Sequence, residues 1–257
     1  MSQLGARLIG GHAAAALASG DGEVVAAYRK AAWVRLPGGP VALTAPAIPP
    51  GPLHVTLDGP LPSARGAAVR RAGSRLHVGG SVVELGGARP WTGPLPDPDE
   101  VRRGAGLVVW ATAAVAAGSA LTTAPYREPA RRAVARLRDG DLAGAVDTLA
   151  GLGPGLTPAG DDALAGMLLA LRAVEGPDAE PRLVAAVAGA PTTTLSLTVL
   201  RCAAAGQALA PVHQLLGAAA RGDRAAALAA ATAVAEVGAT SGADFCYGLR
   251  AAIPSRC

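Results

Sequence analysis

The order of local signals along this chain constrains its fold more than any single motif: β-favouring runs fill the first third and helical patterns fill the rest. Val24 to Leu36, Val41 to Thr44, Leu53 to Leu57, Arg75 to Val78 and Val82 to Leu85 are short runs rich in β-branched and apolar residues. Turn clusters such as Pro37-Gly38-Gly39-Pro40 and Pro49-Pro50-Gly51-Pro52 separate them. Short strands at this spacing predict a small β-barrel or sandwich. Pro90 to Asp97 reads as a boundary with Trp91 as a packing anchor, giving a β-rich domain over residues 1–96 and an α-helical domain over 97–257. Beyond it, Asp97 is placed to cap a helix opened by Pro98, and Asp141 to cap a shorter helix ending near Gly151. Further helices are predicted over 129–138, 158–175, 178–188, 195–205, 210–220, 223–236 and 242–252. β first and α after is an α+β order, which disfavours a Rossmann fold.

With 257 residues, of which 51% are hydrophobic, the chain can bury a sizeable core. Only 3% are aromatic and many of the apolar residues are alanine, so the helices must pack closely through small side chains. The net charge of +4 comes almost wholly from arginines, Lys30 being the only lysine. The densest basic stretch, Arg127 to Arg138, fits a solvated helix face, and no zinc-finger, RNP-like or helix-turn-helix pattern accompanies it, so no nucleic-acid partner is expected. Cys202, Cys246 and Cys257 are odd in number and widely spaced, which argues against a disulfide framework or zinc site and fits a cytoplasmic protein. Met1 to Gly11 lacks the apolar core of a signal peptide. Gly106 to Thr122 is short for a membrane span and reads as a buried helix, so no membrane partner is expected either. His12, His54, His77 and His213 have no neighbour at metal-ligand spacing. No Gly-x-Ser-x-Gly elbow supplies a nucleophile, which disfavours a hydrolase triad.

The chemistry concentrates in Gly151-Leu-Gly-Pro-Gly-Leu-Thr-Pro-Ala-Gly-Asp-Asp162. Thr157 is placed to cap a helix with Pro158 at its first position, and the upstream glycines let the backbone approach a ligand closely. Free N–H groups at such an end attract anions. The Lys-Ser/Thr of a Walker loop is absent and Asp161-Asp162 stand in its place. Two carboxylates would repel an anion unless a divalent cation, an arginine or N–H donors on the ligand offset them. Acidic residues also favour the first turn of a helix for purely structural reasons.

Two further helix starts resemble the first in their clustered hydroxyls. Pro191-Thr-Thr-Thr-Leu-Ser196 opens the helix that carries Arg201, and Thr240-Ser-Gly-Ala-Asp244 opens the last helix. Thr157 precedes Asp161 by four and Asp162 precedes Gly166 by four, as Thr240 precedes Asp244 and Asp244 precedes Gly248. Each start can serve as a simple cap. Together they predict one shared pocket, which requires the helix ends to lie within about 15 Å of one another, the span of a small-ligand site.

In order, Gly153-Pro-Gly-Leu-Thr-Pro-Ala-Gly-Asp-Asp162 with Leu164-Ala-Gly166, Thr193-Thr-Leu-Ser196 with Leu200 to Gly206, and Thr240-Ser-Gly-x-Asp244 with Gly248 resemble the signature stretches of the AllH-like family. One departure stands out: where the family's third motif has a histidine two residues before the serine, this chain has Ala239, so no role for that histidine carries over. The resemblance implies carbamoyl chemistry, because the AllH subunit belongs to the oxamate carbamoyltransferase system, which converts oxalurate and phosphate into oxamate and carbamoyl phosphate. It also implies partner subunits or a homo-oligomer.

On this reading Asp161, Asp162 and Asp244 are the catalytic candidates. The ligand-binding candidates are Gly153, Gly155, Leu156, Thr157, Gly160, Thr193, Ser196, Thr240, Ser241 and Gly242. The expected ligand is a small anion: carbamoyl phosphate, phosphate or a ureido acid, whose oxygens suit helix N-termini and whose N–H groups suit carboxylates. No cofactor is identified by the sequence, and magnesium is the one candidate. Two alternatives stay open: a non-catalytic subunit that binds a small anion, and a magnesium-assisted hydrolase or phosphotransferase using Asp161 and Asp162.

Overall fold

The computed structural model describes residues 2–61 and 64–254. Cys257 lies outside the described residues. The chain divides into two compact units, one ending at Gly93 and one beginning at Pro94. The fold class is α+β, as the order of signals predicts.

In the first unit the elements are β1 (Ser2–Gly10), α1 (Gly11–Leu17), β2 (Gly22–Ala27), β3 (Ala31–Leu36), β4 (Gly39–Thr44), β5 (His54–Leu57), β6 (Ala68–Ala72), β7 (Arg75–Val78), β8 (Ser81–Glu84) and β9 (Arg89–Trp91). Neighbouring strands run β5-β4-β3-β2-β6-β7-β8-β1, and β1 pairs back onto β5, which closes an eight-stranded barrel. β9 extends the same edge of β1 beyond β8: Ser2 to Gly5 pair with β8 and Leu8 to Gly10 with β9. Closure removes the exposed edges that an open sheet of short strands would leave.

The run Val24 to Leu36 is two strands, not one. The chain reverses at Arg29-Lys30, where the Tyr28 N–H donates to the Ala31 carbonyl at 2.8 Å, and Ala27 pairs with Ala32. Val24, Val34, Val41, Leu43, Val55, Leu57, Leu76 and Val83 fill the interior. β6 carries little β signal because only Val69 of its five residues is buried. Ser2–Gly10, a stretch without a clear β signal in the sequence, forms β1, which pairs with β5, β8 and β9.

The second unit contains α2 (Pro98–Ala111), α3 (Ala113–Ala117), α4 (Arg127–Arg138), α5 (Leu142–Leu149), α6 (Ala159–Glu175), α7 (Glu180–Val187), α8 (Thr194–Ala204), α9 (Ala210–Ala220), α10 (Arg224–Ala235) and α11 (Ser241–Ala252), with short 3-10 turns at Ala120–Thr122 and Pro177–Ala179. Asp97 accepts from the Asp99 N–H at 2.9 Å and Asp141 from the Gly144 N–H at 2.8 Å, so both expected caps form. Gly106 to Thr122 is not one buried helix. α2 ends at Ala111, α3 is five residues long, and the chain breaks at Gly118-Ser119, where Ser119 caps the 3-10 turn by accepting from the Leu121 N–H at 3.1 Å. Among the described residues no helix is long and apolar enough to cross a membrane.

α6 is the axis of this unit, with its surface buried nearly all round from Ala159 to Ala170. Leu164, Met167, Leu168 and Leu169 are wholly enclosed, each worth about 1.5–3 kcal/mol of burial. Its most extensive partner is α11. A Cβ on Gly166 would overlap the Phe245 carbonyl oxygen, and one on Gly248 would overlap the Ala163 carbonyl oxygen. Six residues before these, Gly160 lies against the Leu149 carbonyl at the end of α5 and Gly242 against the Val234 carbonyl near the end of α10. The contacts are reciprocal: 160, 162, 163 and 166 correspond to 242, 244, 245 and 248. Two Gly-x-Asp-x-x-x-Gly segments therefore clasp each other backbone to backbone.

Gly166→Ala and Gly248→Ala should each lower the unfolding free energy by about 3 kcal/mol or prevent folding, since backbone carbonyls cannot step aside. Gly106→Ala, in α2 with open space at its Cβ, should instead raise it by up to about 1 kcal/mol. Urea titration of the three variants distinguishes these outcomes; equal effects would contradict the clasp.

Candidate functional site

The three helix starts meet. Thr157 lies 3.4 Å from Ser241, hydroxyl to hydroxyl, joining the first start to the third. The Leu156 carbonyl accepts from the Thr193 hydroxyl at 2.9 Å and from the Ser196 hydroxyl at 3.5 Å, joining the first to the second. Thr192 donates its hydroxyl to Asp161 Oδ2. All three lie well within the span of one small-ligand site.

The loop before α6 takes its path from glycine. Gly151, Gly153 and Gly155 have φ of +71°, +115° and +102°, values that strain any residue with a Cβ. Gly151 is held from both sides, donating its N–H to Asp161 Oδ1 at 2.8 Å while lying against the Pro191 carbonyl. Thr157 does not cap α6. The N-cap is Pro158, without a side-chain bond, and the Thr157 hydroxyl turns to Ser241 instead. Part of the expected N–H cradle is also spent internally: Gly160 donates to the Leu152 carbonyl at 2.8 Å and Asp161 to that of Pro158 at 2.9 Å. The N–H groups of Gly153, Gly155, Leu156 and Thr157 have no protein acceptor among the described residues.

Three carboxyl groups have three distinct environments. Asp161 is 2% exposed and spends both oxygens, on the Gly151 N–H and the Thr192 hydroxyl. It anchors the loop. Asp244 is fully buried, and its Oδ1 accepts from the Ser119 hydroxyl at 2.6 Å and the Ala120 N–H at 2.9 Å. Asp162 is 8% exposed, and its Oδ2, like that of Asp244, is buried without a partner. Burial pushes the Asp162 carboxyl up to about 8; the Ser241 hydroxyl opposes this, the Asp244 charge adds to it, the Thr157 hydroxyl opposes it and Asp161 adds to it. At neutral pH Asp162 is therefore a neutral acid and a hydrogen-bond donor.

The second start is mostly self-satisfied. Thr193 caps α8 by accepting from the Ser196 N–H at 3.0 Å, and both hydroxyls hold the Leu156 carbonyl. Gly242 packs on Val234 and gives its N–H to the Val237 carbonyl at 3.0 Å, while Thr240 is exposed. Gly160 and Gly242 thus serve the packing that brings the carboxyls together. Sequence spacing missed Ser119, Ala120 and Thr192. Ser119 was detectable only as a Gly-Ser breaker inside an alanine-rich run, and its partner lies 125 residues away.

Elsewhere, His213 and His54 bond to the backbone. His213 is buried and its Nε2 accepts from the Ala208 N–H at 3.1 Å. His54 is pushed down to about 4 by burial, against a bond to the Pro49 carbonyl. Burial also pushes the thiols of Cys202 and Cys246 up to about 12, which makes them poor nucleophiles. Among the described residues no three His, Cys, Asp or Glu side chains are grouped to hold a metal ion.

An α+β protein with buried carboxyls at converging helix N-termini is the class that fold and site define. The family model described as oxamate carbamoyltransferase subunit AllH matches residues 149–253. The resemblance in the three motifs is thus shown for that stretch, which holds all three helix starts and both Gly-x-Asp-x-x-x-Gly segments. No curated protein and no solved structure matches the chain. The match links the chain to the carbamoyltransferase subunits.

Asp162 makes stability depend on pH with a defined sign. The unfolded chain releases this proton near pH 4 and the folded protein near 8, so between the two the folded state holds more protons and stability falls as pH rises. The unfolding free energy of the wild type relative to Asp162→Asn should fall by up to about 1.4 kcal/mol per pH unit from pH 5 to 8 and level off above. A flat difference across that window would refute the buried neutral acid.

Proposed function

We propose that this chain is a carbamoyltransferase-type enzyme subunit that binds a small carbamoyl or ureido compound where the three helix starts meet. One observation carries the reading: within the stretch matched by the AllH family, Asp162 is a buried acid that stays neutral at pH 7 beside an acceptor carboxyl, Asp244. A neutral acid donates to a phosphate or carboxylate oxygen instead of repelling it, while a carboxylate accepts from an amide N–H. Carbamoyl phosphate, oxamate and oxalurate each present both kinds of group. The free N–H groups of Gly155, Leu156 and Thr157 add donors to the oxyanion side.

In the reaction this implies, the amide nitrogen of oxamate attacks the carbamoyl carbon, a C–N bond forms, and phosphate leaves with the electrons of the broken C–O bond. The proton lost from nitrogen passes to an acceptor, the role assigned to Asp244, and Asp162 donates toward the departing phosphate. Asp161 holds the loop rather than the ligand.

A second reading follows from the family's description as a subunit and from the hydroxyls of Thr193 and Ser196 being spent on Leu156. Here the chain binds the anion and catalysis needs partner subunits.

Thermal shift against carbamoyl phosphate, oxamate, oxalurate and phosphate, with and without magnesium, is the direct test. A specific ligand at a hundred times its Kd stabilises by about 2.7 kcal/mol. No shift with any of the four would defeat both readings. Where turnover is measurable, Asp162→Asn should lower it about 100-fold, whereas Asp161→Asn should act mainly on KM. Binding without turnover until partner subunits are added would select the second reading, and a shift that requires magnesium would favour metal-assisted chemistry instead.

A further inference from the structure

A cavity of about 280 Å³ lies in the helical unit where α4 and α11 end, with Leu171 of α6 in its lining. It is separate from the site at the helix starts. Those meet at the other ends of α6 and α11, where Thr157 faces Ser241, and between Ala159 and Leu171 a helix rises about 18 Å. Leu137, Leu171, Ile253 and Pro254 give the cavity apolar walls, and Arg138 and Arg250 give it two guanidinium groups. Among the described residues no acidic side chain lines it. Arg131 stands close by: burial pushes the Tyr247 phenol up and the charges of Arg131 and Arg138 oppose this, so both reach the same ring of α11.

Nearby arginines are neutralised within the chain, Arg136 by Asp141 and Arg172 by Glu180. Arg131, Arg138 and Arg250 pair with no carboxylate among the described residues. The ends of α4 and α11 do attract cations, but each carries only about half a negative charge, against three guanidinium groups. Positive charge is left over. Arg250 donates Nη1 to the Val109 carbonyl, which fixes its guanidinium and leaves its other N–H groups to donate elsewhere.

We propose that this cavity is a second small-molecule site, for a ligand that carries a phosphate or carboxylate group on a small apolar body. The oxyanion lies between Arg138 and Arg250, and the body rests on Leu137, Leu171 and Ile253. Guanidinium groups hold such oxygens in forked pairs, and apolar walls keep out the water that would compete for them. A cavity of about 150 Å³ takes a benzene ring, so the larger volume here admits one ring together with its oxyanion. None of these residues belongs to the helix starts, and the inference stands apart from the carbamoyl reading.

Calorimetry on the full chain with phenyl phosphate, inorganic phosphate and phenol tests it. Phenyl phosphate should bind. Inorganic phosphate lacks the apolar body and phenol lacks the oxyanion, so each should bind about tenfold more weakly or worse. Arg138→Gln, a change at an exposed position, should weaken phenyl phosphate about tenfold and leave the melting temperature unchanged. Ala252→Leu, which puts a larger side chain into the cavity lining, should weaken it likewise and serves as a second variant. No binding of phenyl phosphate at millimolar concentration overturns the proposal, as does equal affinity in the wild type and Arg138→Gln. Inorganic phosphate binding as tightly as phenyl phosphate overturns it too, because the apolar walls then contribute nothing.

Discussion

Everything at the site depends on how closely α6 and α11 approach. Where Gly166 faces the Phe245 carbonyl and Gly248 faces that of Ala163, no side chain separates the two backbones. Closely packed interiors do not yield a tenth of a nanometre for nothing, and here the missing Cβ atoms are what make the approach sterically allowed. One turn earlier on each helix stands an aspartate, so the same contact forces Asp162 and Asp244 into one enclosed space. Gly160 and Gly242 repeat the device against the ends of α5 and α10, fixing the direction in which each helix enters. A core built from alanine and leucine, almost without aromatics, suits such an arrangement because nothing bulky holds the helices apart.

Enclosure then dictates the chemistry. Removing two nearby carboxyls from water penalises their charged forms, and their mutual repulsion adds to the penalty. Asp161 escapes by spending both oxygens on donors, and Asp244 meets two donors at Oδ1. Asp162 has no backbone donor and keeps its proton. Asp161 thus ties down the loop, Asp244 accepts from Ser119 and Ala120, and Asp162 is a neutral acid, through their neighbours alone.

Much of the helical unit was legible because its signals are local. Asp97 with Pro98, Asp141 before Leu142, and the apolar run of α6 each act within a few residues, and the structure places α6, α9 and α10 within a residue or two of the expected bounds. The barrel was less legible, since β6 buries a single valine and the Arg29-Lys30 reversal interrupts an apolar run without glycine or proline. At the site, spacing aligns Asp244 both with Asp161, through their preceding threonines, and with Asp162, through the glycines four residues on. The packing selects the second match, because the correspondence is carried by glycines meeting carbonyls from distant segments. Thr157 had a local role open to it as a cap, and a hydroxyl 84 residues away took its place. Ser119 was hidden for the same reason: a serine after a glycine signals a break, but nothing in its vicinity signals what it will meet.

The puzzle of two carboxylates beside an anion-attracting helix start has a simpler resolution than a cation or an arginine. A proton offsets the charge, and burial supplies it without further side chains. Its position also carries directional information. A neutral carboxyl presents one donor and one acceptor in fixed geometry, so on the proposed reading Asp162 takes an oxyanion on its hydroxyl side. The specificity of such a site then starts from a buried side chain of α6 rather than from the glycine loop that first marks the site in the sequence.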